Sequence, residues 1–178
     1  LYPGQNTTGL CPHVQFSGER VYQEGQDPDE EEVAARVERY WRPYHRALAG
    51  ELQRLHAQHG RASLWEGHSI RGVVPFLFEG RLPDLNLGTA GGSSCTPVLQ
   101  ARLESVLQSQ GEYDFIVNGR FKGGYITRHY GQPAQGIQAV QLEISQRIYM
   151  DEDSFEWDEE KASRAQGILR ALLQQMLA

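Results

Sequence analysis

The stretch Ile137-Gln-Ala-Val-Gln-Leu-Glu-Ile144 decides the fold, because it has the pattern of a β-strand inside a sheet. Successive side chains of a strand point to opposite faces of the sheet. Val140, Leu142 and Ile144 therefore share one face, and Glu143 points to the other. The stretch predicts a core strand that carries a carboxylate on one side.

That carboxylate needs an explanation, since an ionised group inside a sheet is costly unless it is paired or functional. Glu143 is either one half of a structural ion pair, with an arginine such as Arg120 or Arg128, or a carboxylate used in chemistry. The residues alone leave both interpretations open.

Two more strands are predicted, and a polar side chain follows each of them. Apolar runs at 62–66 and 113–117 lead to His68 and Asn118. Ligands of open α/β sheets bind outside the carboxyl ends of the strands. We therefore expect His68, Asn118 and Glu143 to lie on one rim of the sheet.

Helical patterns separate these strands. An acidic start and a long apolar stripe predict a helix over 29–60, in which Pro43 marks either a kink or the first turn of a second helix. Helices are also predicted over 96–111 and through 168–176, while residues 71–94 are interpreted mostly as loop. Strands alternating with helices predict an α/β layered fold with a central, partly parallel sheet. A length of 178 residues fits one domain.

The loop after the strand at 113–117 has the composition of an anion-binding site. In Asn118-Gly-Arg-Phe-Lys-Gly-Gly-Tyr-Ile-Thr-Arg-His-Tyr-Gly131, three cations and a histidine lie among glycines. Glycine lets backbone N–H groups approach a ligand, and the arginine fork matches a carboxylate. The loop predicts a small acidic ligand. His129 either donates to that ligand or packs on Tyr130.

His68 by itself is more typical of a hydrogen-bonded structural histidine than of a metal ligand. Two neighbours favour a site: Glu66 can support a metal-bound imidazole, and Arg71 adds an anion-binding group. A zinc site needs three protein ligands and water, and no H-E-x-x-H pair occurs in the sequence. The histidines of the long helix are interpreted as solvated or capping residues: His45, His56 and His59.

Composition excludes several classes of protein. The net charge of -6 argues against general nucleic-acid binding, which needs a basic face. Cys11 and Cys95 lie far apart and are interpreted as reduced thiols of a cytoplasmic protein. No apolar run approaches the length needed to span a bilayer, so no membrane contact is expected.

Several separated blocks, in order, make the chain resemble the N-formylglutamate amidohydrolase family, also called N-formylglutamate deformylases. The resemblance covers nearly the whole chain. The blocks are Leu1-Tyr2 with Thr7-Thr8-Gly9-Leu10, Trp41-Arg-Pro-Tyr-His45, Trp65-Glu-Gly-His-Ser-Ile70, Leu82-Pro-Asp-Leu-Asn-Leu-Gly88, Asn118-Gly-Arg-Phe-Lys-Gly-Gly124 with Arg128-His-Tyr-Gly131, and Val140-Gln-Leu-Glu143.

The resemblance implies a three-layer α/β/α fold of the zinc-carboxypeptidase-like (phosphorylase/hydrolase-like) type. It also implies hydrolysis of N-formyl-L-glutamate to formate and L-glutamate in histidine breakdown, with zinc or another divalent metal. Under this hypothesis His68 is a zinc ligand with Glu66 behind it, and Glu143 is the general base. The residues expected to bind substrate are Arg71, Asn118, Arg120, Arg128 and His129.

The chain departs from the family pattern in two ways. The family usually has Asp-x-His-Ser where this chain has Glu66-Gly-His-Ser69. Family members also carry an upstream Pro-His-x-Gly motif expected to supply further zinc ligands. The chain is therefore expected to correspond to the last two thirds of the enzyme, with crippled catalysis and an unpaired sheet edge that favours association. The alternatives are a related zinc carboxypeptidase or acyl-amino-acid deacylase, or a non-catalytic fragment that keeps the acidic-ligand loop.

Overall fold

A computed structural model describes residues 9–177, and these build one four-stranded sheet between helices. Residues 1–8, which include the first block of the family resemblance except Gly9 and Leu10, and residue 178 lie outside the described part. No helix within 9–177 is long and apolar enough to cross a membrane.

The sheet is mixed, as predicted. Its strands are β1 (Ala62–Ile70), β2 (Leu85–Gly88), β3 (Phe115–Val117) and β4 (Ile137–Ser145), in the order β1-β4-β2-β3. β1 is parallel to β4 and β2 is parallel to β3, whereas β2 and β4 are antiparallel.

Two strand predictions need correction. The loop predicted over 71–94 contains β2, a four-residue strand that is buried along its whole length. The strand predicted over 62–66 continues to Ile70, so His68 lies within β1 rather than after it. β1 extends further because it pairs with β4 residue by residue as far as Ser145.

The first helical region consists of two helices joined by a π-helical turn. α1 (Glu30–Arg36) begins at Asp29, whose carboxylate accepts a hydrogen bond of 2.8 Å from the Glu32 N–H. The turn at Val37–Trp41 leads into α2 (Arg42–His59), which has Pro43 in its first turn. Gly60, with φ of 70°, ends α2 in the left-handed conformation. Of the two interpretations of Pro43, the first turn of a second helix is confirmed.

Three further α-helices follow in the described part. α3 (Pro97–Ser109) begins at Thr96, whose hydroxyl accepts from the Leu99 N–H, and α5 (Glu159–Leu177) is the last element. α4 (Tyr125–Tyr130) has six residues and lies inside the stretch predicted as loop, so that prediction is wrong for the second half of 118–131.

The two faces of the sheet differ in character. One face packs on α3 and α5 and is apolar at its centre, where it includes Leu85, Leu87, Val140 and Leu142. The opposite face is apolar only at its beginning, where Leu64 and Ile137 join side chains from α2 and α4. Further along β1 and β4 this second face becomes polar. We call this part the polar face; it comprises Glu66, His68, Asn86, Gln141 and Glu143.

Candidate active site

The strand register brings His68 and Glu143 together. His68 of β1 is the direct partner of Glu143 on β4, and Asn86 of β2 is the partner of Glu143 on its other side. Side chains at paired positions point to the same face of a sheet. The predicted proximity of His68 and Glu143 is therefore confirmed, and Asn86 joins them in one row.

Asn118 does not belong to this row, and its predicted position on the same rim is wrong. β3 runs parallel to β2 and therefore antiparallel to β4 and β1, so it runs away from the carboxyl ends of those two strands. Val117 pairs with Leu87, which pairs with Leu142, and Asn118 follows beyond the row of Glu143. The side-chain oxygen of Asn118 accepts from the N–H groups of Thr89 and Gly91 at 2.9 and 3.1 Å. Asn118, which has φ of 52°, ties the loop after β2 to the end of β3.

Glu66 connects the polar face to α4. One carboxylate oxygen lies 3.1 Å from Nε2 of His68, and the other accepts hydrogen bonds from the N–H and the hydroxyl of Thr127. Burial raises the pKa of Glu66, but the hydrogen bonds from His68 and Thr127 lower it by a larger amount. The pKa of Glu66 is therefore below its ordinary value. The hydrogen bond to Glu66 raises the pKa of His68. Glu66 thus holds the imidazole on one side and the helix on the other.

Glu143 has a different environment. It is buried, with 7% of its surface exposed, and burial raises its pKa to about 7. The charge of His68 opposes this shift and that of Glu66 adds to it. An arginine ion pair would lower the pKa of this carboxyl instead. The environment of Glu143 therefore favours a functional carboxylate over a structural Arg–Glu pair.

The glycine-rich loop approaches the polar face closely. The Gly124 N–H donates to the side-chain oxygen of Gln141 at 2.7 Å, so the loop is fixed to β4 just before α4. Gly88, at the end of β2, lies against the same loop: a Cβ there would be 2.6 Å from the carbonyl carbon of Lys122. The loop and the row of polar residues form one continuous surface.

The predicted substrate-binding cations all have partners within the chain. Arg71 directly follows β1 and pairs with Asp153 at 2.6 Å in an exposed ion pair. Arg120 donates to the carbonyl of Leu77 at 2.9 Å, and Arg128, exposed on α4, donates to the carbonyl of Gly123 at 2.9 Å.

His129 packs on Tyr130, as one of its two interpretations predicts, and also stacks on Tyr125. Its ring lies parallel to that of Tyr125, with 4.8 Å between centroids, and meets Tyr130 edge-on at the same distance. His45 also belongs to this aromatic group: its Nδ1 lies 2.8 Å from the hydroxyl of Tyr130. The interpretation of His45 as a solvated or capping residue is wrong, because it joins α2 to the end of α4.

The described residues do not by themselves complete a zinc site. No group of three or more His, Cys, Asp and Glu side chains within residues 9–177 is arranged to hold a metal ion. His68 and Glu66 do have the arrangement of an imidazole ligand and its supporting carboxylate. A catalytic zinc needs three protein ligands, so this pair is only part of one.

Several contributors to the surface were missed by the sequence patterns. Asn86 was assigned to a loop, although the alternation of Leu85 and Leu87 around it is a strand signal. Thr127 and Gln141 hold α4 through contacts distant in sequence. No local pattern marks such contacts.

Comparison with known proteins identifies the family. The sequence pattern of N-formylglutamate amidohydrolases matches residues 1–150. The chain belongs to the N-formylglutamate amidohydrolase family. The matched region contains the polar face, the glycine-rich loop and all candidate site residues.

Two relatives are similar over almost the whole chain. An N-formylglutamate deformylase of Pseudomonas aeruginosa is 51% identical over 97% of this chain and 65% of its own length. A Pseudomonas putida protein of the same name is 51% identical over 100% of this chain and 67% of its own length. The chain thus spans about two thirds of the length of these relatives. Its assignment to their last two thirds is not confirmed by these matches.

Solved structures share the fold. The N-formylglutamate amidohydrolase of Ralstonia eutropha JMP134 has a TM-score of 0.68 at 28% identity, covering 86% of this chain and 56% of that one. An Agrobacterium tumefaciens gene product has a TM-score of 0.63 at 16% identity, and the match covers 92% of this chain and 64% of that one. The second likeness bears on the fold alone.

Proposed function

We propose that this chain carries the general base and the substrate-binding surface of an N-formylglutamate deformylase. The reaction is hydrolysis of N-formyl-L-glutamate to formate and L-glutamate. The observation that carries the proposal is the pairing of His68 with Glu143 beside the cationic, glycine-rich loop. The names and the 51% identity of the two Pseudomonas relatives support it.

Glu143 is the proposed general base. In the hydrolysis, a water oxygen bonds to the formyl carbon, the bond from that carbon to the amide nitrogen breaks, and one proton moves from the water to the departing nitrogen. A carboxyl group can carry that proton, because it can take it up when ionised and release it when protonated. Its burial and its fixed place on the central strand β4 hold it in one orientation.

The cations are proposed to bind the substrate's two carboxylates. Arg128 on α4 and Arg120 in the loop lie on the segment that approaches the polar face, and Arg71 follows β1. Guanidinium groups bind carboxylates in two-point geometry. Asn118 and His129 remain proposed hydrogen-bond partners; the contacts of Asn118 support a role in shaping the loop.

Zinc dependence is part of the proposal, with His68 as one ligand and Glu66 behind it. When bound, the metal would supply polarisation of the formyl carbonyl and a more acidic water. The family resemblance also leads us to expect a zinc-carboxypeptidase-like fold, a role in histidine breakdown and a cytoplasmic location.

Comparing substrates tests the proposal against the related zinc hydrolases. Formate, acetate or amino-acid release is measured from N-formyl-, N-acetyl- and peptidyl-L-glutamate, with and without added Zn²⁺. We expect the formyl substrate to react fastest. A preference for the acetyl or peptidyl substrate would contradict the deformylase assignment, and binding of N-formyl-L-glutamate without any turnover would favour the non-catalytic alternative.

A further inference from the structure

The connection between β1 and β2 contains a closed loop. The Leu82 N–H donates to the carbonyl of Gly72 at 2.7 Å, so residues 72–82 leave the fold and return to it at one point. Within this segment the Phe78 N–H donates to the carbonyl of Val74 at 3.1 Å, and the Val74 side chain is buried. Compact surface loops whose ends lie close together are frequently functional. We call residues 72–82 the closed loop.

The closed loop lies at the end of the sheet near Glu143. β1 ends at Ile70 and β2 begins at Leu85, and β4 lies between these two strands in the sheet. The connection therefore crosses the end of β4, close to the position of Glu143. The Gly72 N–H fixes the start of the loop there, because it donates to the carboxylate of Glu152 at 2.7 Å.

Two contacts join the closed loop to the glycine-rich loop. The Nε–H of Arg120 donates to the carbonyl of Leu77 at 2.9 Å. The ring of Phe78 meets that of Phe121 edge-on, with 6.1 Å between the centroids. The guanidinium carbon of Arg120 lies 5.5 Å from the centroid of the same Phe121 ring. The closed loop therefore fixes the direction of the Arg120 side chain both directly and through the Phe78–Phe121 pair.

A fixed arginine makes a site sensitive to the length of its substrate. N-formyl-L-glutamate and N-formyl-L-aspartate carry the same formyl group and the same two carboxylates, but the aspartate derivative is shorter by one methylene group. An arginine held at one distance from Glu143 can match only one of the two, because a misplacement of about 1 Å weakens such an interaction greatly. A mobile arginine could follow the carboxylate of either.

We propose that the closed loop makes the site selective for glutamate over shorter acidic amino acids, because it fixes Arg120 relative to Glu143. Phe78 is a positioning residue in this arrangement, since it acts on Arg120 through the ring of Phe121 and through the backbone of its neighbour Leu77. An arginine that is ordered before binding also loses less conformational entropy when the substrate arrives. The inference rests on the proposed function and adds the origin of its substrate selectivity.

Removing the Phe78 ring tests the inference. Calorimetry measures the dissociation constants of N-formyl-L-glutamate and N-formyl-L-aspartate, with Zn²⁺ present, for the unmodified chain and for Phe78→Ala. Val73→Ala is the matched control, because it truncates a side chain of the same loop that is 54% exposed. Phe78→Leu keeps most of the apolar volume but has no aromatic ring, so it makes the same test if the Ala variant does not fold. Circular dichroism establishes that each variant is folded.

We expect the unmodified chain and Val73→Ala to bind the glutamate derivative about tenfold or more tightly than the aspartate derivative. Phe78→Ala and Phe78→Leu should reduce this ratio about threefold or more, as the loss of an aromatic pair allows. A merely structural role would weaken both ligands alike and leave the ratio unchanged, which would overturn the inference.

Other outcomes separate this inference from the proposed function. If the unmodified chain binds both ligands equally, or if Val73→Ala reduces the ratio as much as Phe78→Ala does, the inference is overturned and the proposed function stands. If the unmodified chain binds neither ligand, the proposed function fails, and the inference fails with it.

Discussion

At the scale of single residues, the site depends on two carboxylates in contrasting environments. Glu66 is bound by three donors from β1 and α4, and its pKa is lowered. Glu143 is buried beside it, and its pKa is raised. Environments that separate the pKa values of two neighbouring acids are typical of catalytic sites. The difference supports the proposed roles, in which Glu66 positions His68 and Glu143 transfers the proton.

Thr127 provides a test of the positioning role. Thr127→Val keeps the shape of the side chain but removes the hydroxyl that donates to Glu66. Because both groups are buried, we expect a loss of about 1–3 kcal/mol in the free energy of unfolding, measured with urea. Thr127→Ser keeps the hydroxyl and should lose less. Equal stability of the Val variant and the unmodified chain would show that this hydrogen bond contributes nothing.

At the scale of elements, α4 is held by its tertiary contacts. Gln141 and Glu66 accept its first N–H groups, and Tyr130 at its other end donates to the carbonyl of His45 at 3.1 Å. A six-residue helix has little stability of its own. The sheet therefore determines where α4 and its cations lie.

Gly88→Ala tests how closely the loop must approach the sheet. The new Cβ would lie 2.6 Å from the carbonyl carbon of Lys122 and 2.7 Å from the Gly123 nitrogen, both backbone atoms. The loop must move, and overpacking of this kind costs about 1–3 kcal/mol. We expect a lower free energy of unfolding and weaker binding of N-formyl-L-glutamate, measured by calorimetry. Gly111→Ala, where a Cβ meets nothing within 4 Å, is the control. Unchanged stability and ligand affinity in Gly88→Ala would contradict the close approach.

The elements also show what the sequence can and cannot predict. β1, β4, α3 and α5 were predictable because each is long and its apolar period is regular. β2 and α4 were missed because both are short and lie among Pro and Gly residues, and contacts distant in sequence stabilise them. The pairing of His68 with Glu143 could be anticipated from strand ends, whereas the reversed direction of β3, which removes Asn118 from the rim, could not.

At the scale of the whole molecule, two carboxylates join distant segments at the end of the sheet: Asp84, which is buried, and Asp114, which is exposed. The Asp84 N–H donates to Asp114 at 2.7 Å, and Arg147 contacts both carboxylates. Burial, followed by the hydrogen bond with Asp114, raises the pKa of Asp84 to about 6. Burial also raises the pKa of Asp114, but the hydrogen bonds with Asp84 and the charges of Arg81 and Arg147 lower it more.

This pair predicts how stability depends on pH. The folded-state pKa of Asp84 exceeds its ordinary value of 3.8, so the fold favours the protonated form. The contribution of protonated Asp84 to the free energy of unfolding is complete below pH 3.8 and is lost as the pH rises through about 6. The pKa of Asp114 is lowered, so the fold favours its ionised form. Its contribution to the free energy of unfolding is lost only as the pH falls below the ordinary pKa of 3.8.

Asp84→Asn should flatten the decline in melting temperature between about pH 4 and 6, the range between the ordinary pKa of 3.8 and the raised pKa of about 6, because an amide cannot ionise. The comparison is made with the unmodified chain by thermal unfolding at each pH. Asp114→Asn is the comparison variant: it keeps the burial of Asp84, the largest cause of its raised pKa, but removes the neighbouring carboxylate, and it should leave a smaller decline in place. An identical pH profile for Asp84→Asn and the unmodified chain would show that Asp84 does not have a raised pKa.

The proposed function requires residues from two strands and a helix to act together as one hydrolytic site. Its most direct test is formate release from N-formyl-L-glutamate by the unmodified chain and by Glu143→Gln, with Zn²⁺ present. We expect slow but measurable release by the unmodified chain, and a loss of about 10²–10⁴-fold in Glu143→Gln with unchanged folding. Equal rates in the two proteins, or no release by either, would contradict it.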